Sequence, residues 1–588
     1  MTGTSRHVHI TPRLRLLPVV ASRDWHTFMW GNTAPHARSG GSDEHADQLE
    51  RIAVYTAVTV SGVVALLWLT GQVAALLCGH GWPTGSGAAG LHALARWPHH
   101  LADPPAAYPS HHPLAATPPA LWWATLVALT VAGVVVGRIV WRRHRHRSGC
   151  DDNHWATAAD LRGLTVRRAT QGRLVMGRVG RRLVATEARH SLLVIGPTQS
   201  GKTSGLAVPA LLEWEGPAVA VSVKTDLAEH TIGCRSRLGE TWVYDPRQTT
   251  QLPAATWSPI SAIDTWEDAI RVAGDLTEAG RSHSGDGMQQ AGFWFGLAAQ
   301  LLAPYLYAAA RSERTMADVY QWILTHDHTV ARATLTADGH PTALAQHDSM
   351  WNIGDQTASS VFVTLQEALR VYADGRVSAS TATSDVTPAD LFGTYRTLYV
   401  AAPAKDQQAL QPLFSTLIGH VIDQAFAHVA ASGRPLDPPL LVIVDEAANV
   451  APMRNLAQIA STAAAQGIQL VTIWQDLAQI RDRYHQQANT VLNNHRGRLL
   501  LAGCGDQDTL QWASTTLGVT GPRRNGRRDT AARGDDRHDP LLTLDHARRM
   551  PGHHAVLLYG THHPAKLRLR AWHKDRRLRS LAVTQQLR

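Results

Sequence analysis

The stretch Leu192 to Thr203, LLVIGPTQSGKT, decides the fold of this chain. Its four leading apolar residues predict a buried strand, and Gly196, Gly201, Lys202 and Thr203 follow at the G-x-x-x-x-G-K-[ST] spacing of a phosphate-binding loop. Glycines let such a loop turn tightly, so that its backbone N–H groups face a chain of phosphates. The stretch therefore predicts a nucleotide-binding domain.

The loop residues have distinct predicted roles. Lys202 adds a positive charge to the β- and γ-phosphates, and the Thr203 hydroxyl is a ligand for Mg²⁺. The run SGLAVPALLEW then begins a helix whose positive end faces the nucleotide. The predicted nucleotide-binding residues are Gly196, Pro197, Thr198, Gln199, Ser200, Gly201, Lys202, Thr203 and Ser204.

A second stretch, Leu440 to Glu446 with the sequence LLVIVDE, predicts a strand that is buried on both faces and ends in two carboxylates. Adjacent acids at the end of an apolar strand are unfavourable unless a cation compensates them. We expect Asp445 to reach Mg²⁺ through its water shell and Glu446 to polarise the attacking water. The predicted catalytic residues so far are Lys202 and Glu446.

Two long uncharged runs predict a transmembrane hairpin. Ile52 to Cys78 contains 27 residues and Pro118 to Gly137 contains 20, and both are long enough to cross a hydrocarbon core of roughly 30 Å. Trp122 and Trp123 are placed as anchors at the membrane interface.

The flanking charges predict the orientation of the hairpin. Arg138 and the run Trp141 to Arg147, WRRHRHR, follow the second span, whereas Arg96 is the only Lys or Arg in the connecting loop, residues 79–117. The positive-inside rule then places both termini in the cytoplasm and this loop outside the cell membrane. Residues 1–51 show no core pattern and are predicted to be a flexible cytoplasmic arm.

Composition limits the alternatives. A chain of 588 residues is too long for one core, so two to four domains are expected. Its four cysteines form no CxxC pair, and its 32 histidines are scattered, so neither a zinc site nor any metal other than Mg²⁺ is predicted.

Short apolar runs beyond residue 150 predict an α/β fold with a mainly parallel sheet. Residues 151–190 alternate apolar and polar side chains across glycine turns, as small antiparallel strands do. The predicted nucleotide-binding domain covers residues 138–260 and 391–588. The remaining apolar runs are Ala218–Val223, Thr241–Tyr244, Thr397–Ala401, Leu440–Val444, Gln469–Ile473, Arg498–Leu501 and Ala555–Tyr559.

Residues 261–390 predict an all-α domain inserted between strands that pair across it. Thr315 is predicted to cap a helix with Asp318 three residues later. Two apolar stripes at helical spacing are expected to be core contacts: Phe293, Leu297 and Leu301, and Val361, Leu365 and Leu369.

Gln475 follows the apolar run Ile468 to Trp474. A polar side chain at the carboxyl end of this strand can sense a γ-phosphate by hydrogen bonding, although a glutamine that merely starts a helix fits the pattern equally well.

The ordered motifs GPTQSGKT, AVAVSVKTDL, VYDP, WSPI, LLVIVDEA and TIWQDLAQI, preceded by two membrane spans, resemble the TraG-like conjugative coupling proteins of type IV secretion systems. The resemblance covers roughly residues 50–520. It implies a membrane-anchored, RecA-like ATPase that uses ATP and Mg²⁺, forms a homo-hexameric ring and drives DNA toward a transfer channel. It also implies single-stranded DNA carrying a relaxase as the cargo, contacts with relaxosome and channel proteins, and a catalytic role for Gln475 as nucleotide sensor.

The chain departs from the family pattern at Ser222, where an acidic residue commonly precedes the lysine, here Lys224, of the second strand. The role of Lys224 therefore stays open. Arg496 and Arg498 are candidates for an arginine that completes the site of a neighbouring subunit, beside a strand expected near the edge of the sheet.

The formal net charge of +9 includes two basic segments beyond the membrane flanks, Arg523–Arg528 and Lys566–Arg579. Residues 521–540 predict a mobile loop that either tracks a phosphate backbone or is simply solvated. Three other functions fit part of the sequence: an FtsK-like translocase of double-stranded DNA, a nucleotide-switched receptor for secreted proteins, and a GTPase. The half-match of Val223 to Asp226 to N-K-x-D has the wrong first residue, which disfavours the GTPase.

Overall fold

The computed structural model describes residues 43–80, 82, 96–109, 112–147, 153–281, 288–401, 403–450, 453–520 and 539–583. Internal contacts divide the chain into two units, Met1–Gly149 and Cys150–Arg588.

The first unit contains two long helices, Asp43–Leu77 and Pro119–Arg147. Three short 3₁₀ helices, Trp97–His99, Pro104–Ala107 and Pro113–Ala116, lie in the segment between them. This segment packs against the first helix, since a Cβ on Gly71 would lie 3.4 Å from Leu114 Cδ1.

The two predicted helices are therefore present, and the first begins at Asp43, within the predicted arm. Residues 43–51 continue the first helix in the N-terminal direction. Because this stretch is rich in charged residues, it lies outside the uncharged run that predicts the membrane span. Residues 1–42 lie outside the described part of the chain.

Among the described residues, two helices are long and apolar enough to cross a membrane. Pro119–Ile139 has a mean hydropathy of 2.0 and is 11% buried, whereas Gly292–Arg311 has a mean hydropathy of 1.3 and is 61% buried. The second is a core helix of the second unit by its burial. The apolar stretch Ser61–Leu77 in the first long helix is shorter.

The second unit is built on a twelve-stranded sheet with the order β1-β3-β2-β12-β11-β10-β4-β9-β8-β5-β7-β6. The strands are β1 Thr165–Val166, β2 Val175–Val179, β3 Arg182–Ala185, β4 Leu192–Ile195, β5 Ala218–Ser222, β6 Thr241–Tyr244, β7 Thr397–Ala401, β8 Leu440–Val444, β9 Ile468–Trp474, β10 Gly497–Leu501, β11 His554–Tyr559 and β12 Ala565–Arg568. The helices that follow strands are Val208–Glu213, Asp226–Arg235, Gln407–Ser432, Ala447–Val450, Leu456–Gln466, Leu477–Tyr484, Ala488–Asn494, Gln507–Leu517, Leu544–Arg548 and Arg576–Val583.

The seven consecutive strands β10, β4, β9, β8, β5, β7 and β6 are parallel to one another. Beyond β10, the strands β11, β12, β2, β3 and β1 continue the sheet, each antiparallel to the strand before it. All seven apolar runs and the antiparallel strands within residues 151–190 are confirmed. Strand β12 was missed because its four residues, AKLR, expose two basic side chains and bury only Ala565 and Leu567.

Every described element between β6 and β7 is helical, and these two strands are parallel neighbours. The helices are Trp266–Arg281, Met288–Arg311, Met316–Thr325, Thr329–Asp338, Pro341–Trp351, Asp355–Ala368 and Gly375–Ser380. Their buried residues share one hydrophobic cluster with one face of the sheet, for example Leu301 and Leu365 with Val219 and Val442. An independent domain at residues 261–390 is thus not confirmed, and its boundaries stay predictions.

Details of this helical region agree with the sequence pattern except at one position. Thr315 and Asp318 form the predicted capping box, and Val361, Leu365 and Leu369 are buried. The prediction for Phe293 is wrong, because its side chain is 59% exposed near the start of its helix while Leu301 is 2% exposed.

A fully buried arginine stabilises the junction of β5 and β7. Arg235 donates hydrogen bonds to the carbonyl oxygens of Trp214 (2.6 Å) and Tyr395 (3.3 Å) and to Thr397 Oγ1 (2.8 Å). Burial lowers the pKa of its guanidinium. Its guanidinium thus supplies hydrogen-bond donors to backbone carbonyl groups before β5, at Trp214, and before β7, at Tyr395.

We expect Arg235→Met to lower the apparent melting temperature by roughly 6 °C, because it leaves these buried acceptors unpaired. The measurement is thermal unfolding of the full chain followed by tryptophan fluorescence. Arg237→Met, on the exposed side of the same turn, is the matched control and should leave the melting temperature within about 1 °C. Equal shifts in both variants would contradict this role.

Candidate functional site

The sheet order brings the three predicted site segments to one edge. Strands β4, β9 and β8 are consecutive parallel neighbours, with Ile195 paired with Trp474 and Val444 with Thr472. Because parallel strands end at the same edge, the loop after β4, Gln475 after β9 and the acid pair after β8 lie side by side.

The loop after β4 has a conformation that its sequence requires. Gly201 has φ +87°, and a Cβ on Gly196 would lie 2.7 Å from Ser200 Oγ and 2.9 Å from Leu501 Cβ. Gln199 also has a positive φ of 64°. The loop leads through a π-helical turn, Thr203–Ala207, into the helix Val208–Glu213. Side chains at the two glycines would distort this turn.

The loop touches the acid pair directly. Thr203 Oγ1 donates a hydrogen bond of 2.8 Å to Asp445 Oδ2, and Lys202 Nζ lies 3.8 Å from Glu446 Oε1. Lys202 is 6% exposed and Asp445 is 3% exposed. Residues 242 positions apart thus share one buried polar site.

Several polar atoms of this site have no hydrogen-bond partner within the described part of the chain: Ser200 Oγ, Lys202 Nζ, Asp226 Oδ1 and Asp445 Oδ1. Burial raises the pKa of Asp445, the Lys202 charge and the Thr203 hydrogen bond oppose this, and the Glu446 and Asp226 charges reinforce it. Buried, unpaired carboxylate and hydroxyl oxygens are the ligands that Mg²⁺ prefers. The residues present therefore fit a Mg²⁺ ion next to a phosphate chain.

Glu446 has an unusual backbone conformation, with φ 59°. Its carbonyl oxygen accepts hydrogen bonds from the N–H groups of Asn449 and Val450, so it starts the helix Ala447–Val450. The Gln411 amide donates to Ala448 O (3.1 Å) and holds this helix against Gln407–Ser432. A left-handed non-glycine residue costs on the order of 1 kcal/mol, and here the conformation directs the carboxylate toward Lys202.

Gln475 lies next to Gly196 in register, since the Gly196 N–H donates to Trp474 O (2.9 Å). It is half-buried, and its own N–H donates to Gln479 Oε1 (3.0 Å). Its side-chain amide makes no hydrogen bond to other described residues. The structure thus brings Gln475 to the loop, while its sensing role stays a prediction.

The arginine candidates do not lie at the strand ends that lead into the loop. Strand β10, which contains Arg498, lies between β11 and β4 in the middle of the sheet, so the expectation that this strand is one of the outer strands is wrong. Arg496 pairs with Glu187 (3.1 Å). Both arginines lie at the amino end of β10, which is parallel to β4, and thus at the sheet edge opposite the loop.

Within the described part of the chain, two other segments noted in the sequence, Lys224 and the predicted mobile loop, add no side-chain contact to this site. Lys224 is exposed, and its N–H donates to Ser222 Oγ (3.2 Å). In the predicted mobile loop, residues 521–538 lie outside the described part of the chain.

Two neighbours of the site were not predicted from the sequence. Asp226 follows β5, and its charge raises the pKa of Asp445. Like Asp445, Asp226 is a carboxylate that comes after a buried strand, and this pattern could have identified it. His553 precedes β11 and packs on the loop, since a Cβ on Gly201 would lie 3.0 Å from His553 Nδ1. No sequence motif marks His553.

Part of the basic segment Lys566–Arg579 has a structural role. Arg570 is buried, donates to Glu213 Oε2 (2.6 Å) and lies 3.1 Å from Asp575 Oδ2. This ion pair fixes the C-terminal segment to the helix Val208–Glu213 that follows the loop.

Most of the second unit matches a known protein family. Residues 155–587 match the model of the family described as "Type IV secretory system Conjugative DNA transfer". The VirD4 protein of Agrobacterium fabrum (strain C58 / ATCC 33970) is 24% identical over 418 residues, covering 68% of this chain and 61% of VirD4. The conjugal transfer protein TraG of Escherichia coli is 24% identical over 402 residues, covering 61% of this chain and 62% of TraG. The match thus spans less than two thirds of either relative.

Solved structures of the plasmid coupling protein TrwB share the fold. The complex of TrwB with ADP and Mg²⁺ has a TM-score of 0.56 at 19% identity, covering 71% of this chain and 94% of TrwB. The complex with a non-hydrolysable ATP analogue has a TM-score of 0.55 at 19% identity, covering 72% and 94%.

We expect Asp445→Asn to raise the melting temperature of the nucleotide-free chain at pH 8 by roughly 1–3 °C. The native pKa of Asp445 is raised, so folding is most favourable at low pH and loses stability as pH rises through that pKa. The advantage of the variant should therefore shrink at lower pH. Thermal unfolding from pH 8 down to about pH 4, close to the ordinary carboxyl pKa of 3.8, is the measurement. A variant less stable than wild type at pH 8 would contradict the burial argument.

Proposed function

Because the chain belongs to the type IV secretory system conjugative DNA transfer family, we propose that it is a membrane-anchored ATPase whose ATP hydrolysis recruits DNA and moves it into a secretion channel. The observation that carries the proposal is the buried contact between Thr203 and Asp445, beside Lys202 and Glu446. This constellation has the donors and acids that a Mg²⁺–nucleotide requires.

Two observations support nucleotide binding. TrwB, which shares the fold, has been solved with ADP and Mg²⁺ and with a non-hydrolysable ATP analogue. In this chain, the buried ammonium of Lys202 lacks a hydrogen-bond partner among the described residues, and phosphate oxygens would supply one.

We infer the catalytic roles from the positions of the side chains. Lys202 binds the β- and γ-phosphates and stabilises the charge that develops on them. Glu446 would accept a proton from the attacking water or orient it, because its carboxylate lies 3.8 Å from the Lys202 ammonium that would bind the γ-phosphate. Gln475 would donate a hydrogen bond to the γ-phosphate. When the γ-phosphate is released, this bond is lost, and the position of the helix Leu477–Tyr484 that follows Gln475 would change.

Thr203 and Asp445 would hold Mg²⁺, because their oxygens meet in the buried site beside the loop. When bound, the ion neutralises phosphate charge and orients the leaving group. The buried Asp445 carboxylate gains a counter-charge in that state, which offsets the burial that raises its pKa.

The polymer substrate is inferred from the family. We infer single-stranded DNA with an attached relaxase as cargo, contacts with relaxosome and channel proteins, and a homo-hexameric ring. A double-stranded DNA translocase and a protein receptor switched by nucleotide are the alternatives that the hydrolysis assay separates.

We further infer that the helices Asp43–Leu77 and Pro119–Arg147 anchor the chain in the cell membrane with both termini in the cytoplasm. The exposed valines of Pro119–Ile139 and the arginines that follow support this arrangement.

Wild-type chain should hydrolyse ATP faster with single-stranded DNA than without it. Lys202→Ala and Glu446→Gln should both reduce the rate to near background, on the order of 10²-fold or more, because the first removes the cation that stabilises the γ-phosphate and the second removes the proton acceptor for the attacking water. Steady-state phosphate release measures this, with single-stranded, double-stranded and no DNA.

Lys566→Ala and Glu229→Gln, exposed residues away from the loop, are matched controls that should retain wild-type rates. DNA-independent hydrolysis that persists in Lys202→Ala would refute the motor. Stronger stimulation by double-stranded DNA would favour the translocase alternative.

Membrane anchoring predicts that the chain resists extraction from vesicles by alkaline carbonate and high salt and is released only by detergent. A chain lacking residues 1–148 is the control and should fractionate with the soluble proteins. Release of the full chain by salt would contradict anchoring.

A further inference from the structure

Arg498 lines a cavity at the amino end of β10, on the opposite side of the sheet from the strand ends that lead into the phosphate-binding loop. The cavity has a volume of about 460 Å³, within the range of small-ligand sites. Its lining combines the apolar side chains of Leu517 and Leu558 with the polar groups of Thr561 and His563. None of these residues belongs to the proposed nucleotide site.

The half-buried guanidinium of Arg498 has no counter-charge in the described part of the chain. Its Nε is buried without a hydrogen-bond partner there, and burial lowers its pKa with no acid opposing the shift. No described Asp or Glu lines the cavity. The acids of the adjacent segments have other partners, since Asp160 Oδ2 accepts from Thr157 Oγ1 (2.7 Å) and Glu187 Oε2 accepts from Arg496 Nε (3.1 Å). A buried cation without an acid favours binding of an anion.

The strand fixes the direction of the Arg498 side chain. Its backbone is paired with Leu193 of β4 on one side and with Leu558 of β11 on the other. Alternate residues of a strand point to opposite faces of the sheet, and Leu499 and Leu501 belong to the hydrophobic cluster of one face. Arg498 therefore points to the other face, where the cavity lies.

Other parts of the lining are also held in place. Asn153 Nδ2 donates hydrogen bonds to Leu517 O (2.5 Å) and Val519 O (3.1 Å). The ring of His563 packs against that of His154, with centroids 4.1 Å apart. These contacts build the cavity from segments that are distant in the sequence.

We propose that Arg498, Thr561 and His563 bind a phosphate group in this cavity. The planar guanidinium donates two parallel hydrogen bonds to phosphate oxygens, and the hydroxyl and imidazole groups supply further donors. The ligand is a phosphate monoester or diester whose organic part contacts the apolar lining. This site goes beyond the proposed function, because it is separate from the nucleotide loop.

Two sources of such a group are a lipid headgroup and a soluble phosphate ester. Asn153, which lines the cavity, comes six residues after Arg147, where the helix Pro119–Arg147 ends. Six residues of extended chain span at most about 22 Å. With that helix in the membrane, as proposed above, anionic headgroups are one source within reach of the chain.

The first test uses the full-length chain in dodecyl maltoside, a detergent without phosphate. Mg²⁺–ADP is present in excess, and sodium phosphate or glycerol phosphate replaces sodium chloride at constant ionic strength. The melting temperature at each concentration gives the apparent affinity. Wild type is compared with Arg498→Gln and Thr561→Ala. The matched control is Arg496→Gln, whose exposed arginine is two residues away but outside the cavity.

We expect both probes to raise the melting temperature of wild type. Arg498→Gln should weaken the apparent affinity at least about tenfold, because it removes the charged donors. Thr561→Ala should weaken it about threefold, and Arg496→Gln less than about twofold. Thr561 is exposed on a turn, so its variant tests the site even where Arg498→Gln does not fold.

The second test identifies the source of the phosphate. The same proteins receive dioleoyl phosphatidylglycerol or dioleoylglycerol, which lacks the phosphoglycerol headgroup. A lipid ligand predicts that phosphatidylglycerol stabilises wild type and Arg496→Gln but not Arg498→Gln, with an affinity at least about tenfold higher than that of glycerol phosphate. Equal effects of phosphatidylglycerol in all variants, with the soluble probes still dependent on Arg498, assign the site to a soluble phosphate ester.

A wild-type melting temperature that no phosphate probe changes would overturn the site. Equal losses of affinity in Arg498→Gln and Arg496→Gln would also overturn it, because they would indicate a general effect of surface charge. A chain that binds no ADP would refute the proposed function, but the comparison of the two arginine variants would still test the cavity.

Discussion

The hydrogen bond between Thr203 and Asp445 is the contact on which the rest of the site depends. It joins the loop after β4 to the end of β8, across the intervening strand β9. The Asp445 carboxylate is buried with a raised pKa, and only Lys202 supplies a nearby positive charge among the causes of its pKa shift. A site with buried acids, a buried lysine and unpaired oxygens is poorly satisfied without a ligand, and a Mg²⁺–nucleotide would satisfy it.

This site is connected to the helical region by the segment that follows Glu446. Gln411 binds the helix Ala447–Val450, and Tyr484, at the end of the helix after Gln475, donates to Met453 O (3.0 Å). Farther along, burial raises the pKa of Asp275 to about 7, and the charges of Arg271 and Arg454 oppose this shift. Arg454, in the same segment, packs on the helix Trp266–Arg281, since a Cβ on Gly274 would lie 3.2 Å from Arg454 Nη1. The segment after Glu446 therefore touches one of the helices between β6 and β7.

Much of this arrangement could be predicted from the sequence because it depends on local patterns. Continuous apolar runs marked the parallel strands, and the spacing of Gly196, Gly201 and Lys202 marked the loop. Phe293 could not be placed, because helical spacing identifies a stripe but not where the stripe leaves the core. Strand β12, Asp226 and His553 depend on long-range pairing: β12 is only four residues long, and His553 is defined by its contact with Gly201. The acid pair was predictable, but its direct bond to Thr203 required the strand order.

The central claim is that residues 202–203 and 445–446 bind one Mg²⁺–nucleotide together. A double-mutant cycle with Thr203→Ala and Asp445→Asn tests it most directly, with the affinity for Mn²⁺–ADP measured by electron paramagnetic resonance. Two residues that hold the same ion should be strongly non-additive, with a coupling energy of about 1 kcal/mol or more, so that the double variant binds little worse than either single one. Additive losses, or Mn²⁺–ADP binding that neither substitution changes, would contradict the account.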